Sequence, residues 1–143
     1  MISGKQINRL GDRLRDADMP ATEDLDLLSE VLASYEDARL AVHARLADRG
    51  FTPTSRLKTT NTIIDKLRRE RGAGYALKLK KIHDIAGARI VVDGHFHNQD
   101  LAVDQIVNEF SDEQASEVLD RRLKPNSGYR AVHVIVRTGA VPV

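Results

Sequence analysis

His83-Asp84-Ile85-Ala86-Gly87-Ala88-Arg89-Ile90-Val91-Val92 is the stretch on which the fold turns. Its second half is apolar but for one arginine and lies between Gly87 and Gly94. An apolar, β-branched run bounded by glycines predicts a buried strand over 88–92. Asp84 stands just before that strand, with a glycine between them that allows close backbone approach. A carboxylate so placed suits Mg²⁺, which takes one or two protein carboxylates and completes its shell with substrate phosphates. A lone loop aspartate capping a turn is the commoner arrangement. Arg89, inside the apolar run, needs a partner if buried, and a phosphate or a structural carboxylate would serve equally.

Upstream, residues 51–58 read as a strand whose first part Pro53 confines to a sheet edge. Residues 60–71 read as a short amphipathic helix with Ile63, Ile64 and Leu67 inward, ended by Gly72 and Gly74. A long helix is predicted over 23–49, where Leu27, Val31, Tyr35, Ala38, Val42 and Leu46 recur at helical spacing. Thr22 is its expected N-cap, and Gly50 falls just past its last turn. A weaker helical pattern covers 5–17, and residues 18–21 break the two helices. Downstream, residues 99–110 return to helical spacing, and 117–122 and 131–137 read as strands. Helices before and between strands imply an α+β (α/β) domain, a mixed β-sheet flanked by helices. Residues 1–50 form an N-terminal helical segment and 51–143 the core, within one structural domain. No internal repeat or low-complexity segment interrupts the chain.

The chain has 143 residues, 41% hydrophobic and 30% charged, enough for one domain with a substantial core. With no cysteine, it forms no disulfide and no cysteine-ligated metal site. No apolar run approaches the ~20 residues that span a bilayer, and the first residues lack the apolar core of a signal peptide. The expected compartment is the cytoplasm, away from membranes. Three Tyr, three Phe and no Trp argue against a broad base-stacking platform. The net charge of +1 hides a central block. Nine basic residues stand against two acidic between Arg56 and Lys81, a net of +7, with −3 on either side. Such a block is a local polyanion site or a solvated basic helix face.

Two further clusters carry chemistry. If 51–58 is a strand, Arg56 and Lys58 share a face, and Thr62 and Lys66 are neighbours one turn apart on the following helix. Strand end, hydroxyls and helix N-terminus together make a workable polyphosphate cradle, although the glycines of a Walker loop are missing. In Gly128-Tyr129-Arg130-Ala131-Val132-His133, Tyr129 and His133 share a strand face. A ring that stacks on a base beside a phosphate-contacting histidine would make an acceptor site; a core tyrosine and a plain strand histidine are the alternative. His43, His95 and His97 have no evident partners and read as surface residues.

Taken together, the three clusters resemble the synthetase domain of the RelA/SpoT family in its short, single-domain alarmone synthetase form. The matching stretches run in order and at family-like separations over 56–143. The resemblance implies a nucleotidyltransferase-like fold. It also implies transfer of pyrophosphate from ATP to the 3′-hydroxyl of GDP or GTP, giving (p)ppGpp. By resemblance, Arg56 stacks on the adenine, and Lys58, Thr62 and Lys66 hold the ATP phosphates. Asp84 carries Mg²⁺ and is catalytic together with Arg89; Tyr129 stacks on the guanine and His133 contacts the acceptor's phosphates.

Three departures stand out. The family's Lys-Asp-Tyr is replaced by Val118-Leu119-Asp120, and its Asn two residues before the Tyr is Ser127 here. Both fall on the acceptor side. The family's next strand carries a Glu that supports the metal and activates the attacking hydroxyl, and Val143 is the last residue before that position. The core is therefore expected to be incomplete at its C-terminus and catalysis impaired, whether by truncation or by natural loss. The open sheet edge would be covered in a homo-oligomer. Alternative expectations are a toxic relative that pyrophosphorylates tRNA 3′ ends or adenine nucleotides, and a non-catalytic module that binds nucleotides or a partner such as an antitoxin.

Overall fold

The computed structural model describes residues 2–69, 76–112, 114–124, 131–138 and 141–143. Helix α1 (Gly4–Asp16) starts at a capping box: Gln6 N–H donates to the Ser3 hydroxyl, and Ser3 N–H donates to the Gln6 side chain at 2.8 Å. Helix α2 (Thr22–Asp48) follows, and Thr22, expected as its N-cap, is instead its first helical residue. Ala21 occupies the cap with no side-chain bond; Glu23 and Asp24 in the first turn complement the helix dipole instead. Asp24 also binds Arg13 of α1 at 2.7 Å, closing the helical hairpin. Past the last turn, Gly50 takes φ +88°, a conformation that suits glycine and ends the helix.

Strand β1 (Thr54–Leu57), helix α3 (Thr60–Arg69), a 3₁₀ turn (Leu79–Lys81), strand β2 (Ala86–Arg89) and helix α4 (Phe96–Glu109) come next. Strands β3 (Gln114–Asp120), β4 (Val132–Thr138) and β5 (Val141–Pro142) close the chain. The fold is α+β, strands flanked by helices, as the sequence predicts. All described pairings are antiparallel and divide into a β1–β2 ribbon and a β3–β4–β5 sheet, a division the strand pattern alone does not specify. No described helix is long and apolar enough to cross a membrane.

The strand expected over 88–92 differs in place and burial. It runs from Ala86 to Arg89 and is buried only at its start; Ala88 and Arg89 are exposed, and Val91 is 79% exposed. Among the described residues β2 has a partner only on the β1 side, so an apolar run that suits a central strand sits at an edge.

Two apolar clusters hold the molecule together, and α2 contributes to both. Its Leu28, Val31, Leu32 and Tyr35 pack with Leu10 and Leu14 of α1, Ile63 and Leu67 of α3, and Leu79, Ile82 and Ile85. One helical turn beyond Ala38, Val42 and Leu46 pack with Phe110 and Val136. Burying each Leu or Ile contributes about 1.5–3 kcal/mol. Through α2, the N-terminal helical segment thus packs against the strand-bearing half in both clusters.

Candidate functional site

The ribbon and the three-stranded sheet face each other across a cleft of about 760 Å³. Arg56, Lys66, Asp84, Arg89 and His133 all line it. Register explains the convergence. Arg56 pairs with Gly87 and Thr54 with Arg89, so alternation puts both arginines on the cleft face of the ribbon. A Cβ added at Gly87 would meet nothing within 4 Å, which leaves open space beside Arg56.

Lys58 lies one residue past β1, where its N–H donates to the Ile85 carbonyl at 2.7 Å. That bond extends the ladder one step and sets Lys58 beside Asp84. Its ammonium lies 2.9 Å from one Asp84 oxygen, and the Lys66 ammonium lies 3.0 Å from the other. Burial by itself would raise the Asp84 carboxyl, but hydrogen bonds from Lys58 and Lys66, aided by their charges, hold it below the usual range. Both oxygens of the cleft's carboxylate are thus clamped by lysines, of which Lys66 lines the cleft and Lys58 does not.

Thr62 is placed differently. Its N–H donates to the Thr59 hydroxyl, and the two hydroxyls are 2.7 Å apart, a cap for the start of α3. It borders a neighbouring groove with Asp65, Arg68 and Arg69 rather than the cleft. Tyr129, with Gly128 and Arg130, lies outside the described residues.

On the opposite wall, His133 of β4 pairs with Leu119 of β3 and is half-buried. Burial, then the nearby Arg121 charge, pushes its imidazole down and favours the neutral ring, against the pull of Asp84. Arg121, Lys81 and His83 also line the cleft and are absent from the sequence-based site. Alternation over 117–121 puts Arg121 on the Leu119 side of its strand, but that both meet His133 follows only from the cross-strand register. His43 also differs from expectation: read as a surface residue without a partner, it is half-buried with Nδ1 2.8 Å from the Ser55 hydroxyl, which Arg39 also contacts. A contact between residues 12 apart leaves no periodic trace in the sequence. His95 and His97 are exposed, as expected.

Among the described residues Asp84 is the lone acidic residue lining the cleft, and they hold no group of three or more His, Asp or Glu side chains able to cage a metal. This donor set fits Mg²⁺ delivered with a polyphosphate, since that ion keeps most of its shell for phosphate and water.

The family model described as the region found in RelA / SpoT proteins matches residues 55–143. An uncharacterized protein of Mycobacterium bovis is 35% identical over 143 residues, covering 96% of this chain and 50% of the relative. Uncharacterized proteins from two strains of Mycobacterium tuberculosis match with the same identity and coverage. The chain thus spans about half the length of these curated relatives.

Proposed function

This chain belongs to the RelA/SpoT family, and from that premise we propose that it transfers pyrophosphate from ATP to the 3′-hydroxyl of GDP or GTP. The acceptor oxygen bonds to the β-phosphorus as the bond from that phosphorus to the AMP oxygen breaks, giving AMP and (p)ppGpp. The observation that carries this reading is the meeting in one cleft of a cationic wall from β1 and α3, a single carboxylate before β2, and a histidine on β4.

Position supports a role for each of the described residues, whereas the role of Tyr129, which lies outside them, rests on the family resemblance alone. Arg56, exposed beside the space over Gly87, stacks its planar guanidinium on the adenine. Lys58 and Lys66 turn from Asp84 to the ATP phosphates, and Arg89 adds a further positive charge on the same ribbon face. Asp84, once released, holds Mg²⁺, which supplies charge neutralisation across the polyphosphate. Thr62, at the start of α3, adds a hydroxyl only with phosphates that reach past the cleft rim. His133, favoured as the neutral ring, hydrogen-bonds the acceptor's phosphates, and Tyr129 stacks on its guanine.

Calorimetric ATP binding tests the donor wall. Arg56→Ala and Lys66→Ala are each expected to weaken it about tenfold or more, the scale of a lost charge-assisted contact; unchanged affinity in both variants rejects the reading. AMP release with GDP, GTP, ADP or tRNA as acceptor then identifies the second substrate.

A further inference from the structure

The two walls of the cleft differ in how their cations are engaged. On the ribbon side Lys58 and Lys66 are both paired to Asp84. On the sheet side, Arg121 and Arg122 are adjacent in sequence yet meet opposite fates. Arg122 is bound to Asp120 and Asp100 at 2.6 and 2.7 Å and lies over the Phe96 ring, which locks β3 to the start of α4. Arg121 faces the cleft. Its backbone N–H donates to the Ala131 carbonyl at 2.8 Å, continuing the β3–β4 ladder past Asp120 and fixing its Cα opposite β4. Leu119 pairs with His133, so alternation places Arg121 on the same face as that histidine. Its guanidinium makes no hydrogen bond or ion pair to a carboxylate among the described residues; the nearest acid in sequence, Asp120, is taken by Arg122.

A half-buried guanidinium beside a histidine, with no carboxylate among the described residues to neutralise it, is a site for an anion. It sits across the cleft from the lysines assigned to ATP, so the anion belongs to the second nucleotide. We propose that Arg121 is the contact that selects an acceptor by its 5′-polyphosphate, gripping the terminal phosphates while His133 binds beside it. This deepens the proposed function and rests on it. The acceptor class that follows is a free nucleoside di- or triphosphate; a tRNA 3′ end offers no such group there.

The test is equilibrium binding of GTP, GDP, GMP and guanosine to the chain saturated with a non-hydrolysable ATP analogue, for wild type, Arg121→Ala and Arg121→Lys. The expected result is wild-type affinity that rises with phosphate number. In Arg121→Ala, GTP affinity falls at least about tenfold and the ranking flattens; in Arg121→Lys it is partly kept, and ATP affinity is unchanged in both variants. GTP binding by Arg121→Ala equal to wild type, or wild-type binding that ignores phosphate number, overturns the inference while the ATP site stands. Loss of ATP and GTP affinity together in Arg121→Lys would mark a structural role and also overturns it. A wild-type chain that binds neither nucleotide overturns both this inference and the proposed function.

Discussion

Asp84 presents an electrostatic obstacle to any cation that arrives alone, because each of its oxygens already has an ammonium 2.9–3.0 Å away. A divalent ion must displace at least one lysine and then sit beside it. A nucleotide polyphosphate that drew both lysines to itself would remove this obstacle. The expected outcome is that Mn²⁺, read by its paramagnetic resonance signal, binds weakly without nucleotide and far more tightly with ATP. Lys58→Gln and Lys66→Gln should raise nucleotide-free Mn²⁺ affinity several-fold, by removing like charge next to the ligand. Equal Mn²⁺ affinity in wild type and both variants would contradict this account. The sequence showed these residues as parts of separate motifs, since spacing reveals which residues share a strand face. It could not show that Lys58 and Lys66 grip one carboxylate, which depends on the extra ladder bond between Lys58 and Ile85.

At the level of elements, the sequence was most legible where periodicity is long. The 27 residues of α2 stand out because its apolar stripe persists over many turns. Its start was misplaced by one residue, because Thr is a good capping residue in general and the actual cap, Ala21, has no side-chain signal. Short strands were legible by type and less so by burial: the composition of β2 suggested a covered strand, and Val91 shows how little composition says about neighbours. Within α2, Tyr35 carries a consequence for pH. Burial pushes its phenol up to about 12, against an opposing pull from Arg137. The unfolded phenol ionises near ~10. Its contribution to stability is therefore whole below pH 10 and is lost as pH rises from 10 toward 12. Denaturant titrations across that window should show Tyr35→Phe losing less stability than wild type; parallel slopes would refute this.

On the scale of the whole molecule, the β1–β2 ribbon and the β3–β4–β5 sheet share no backbone hydrogen bond among the described residues. The sequence could not show this gap, because strand order is set by tertiary pairing and not by local pattern. Both walls instead lean on α2, whose N-terminal half packs the ribbon side and whose C-terminal half packs Phe110 and Val136 behind the three-stranded sheet. At 27 residues this helix is about 40 Å long. It therefore works as a gauge block: the spacing between the two cleft walls is a property of helix stiffness, stored in residues that do not line the cleft. Ala38, buried midway between the two clusters, is where that stiffness can be lowered most directly. Ala38→Gly should cost about 1 kcal/mol of stability. Spin labels on α3 and β3 should report a broader distance distribution in that variant, with binding on both walls weakened together; an unchanged distribution would locate the spacing elsewhere. Substitutions along the back of the molecule would then tune its chemistry like a change of bond length, while leaving every contacting side chain in place.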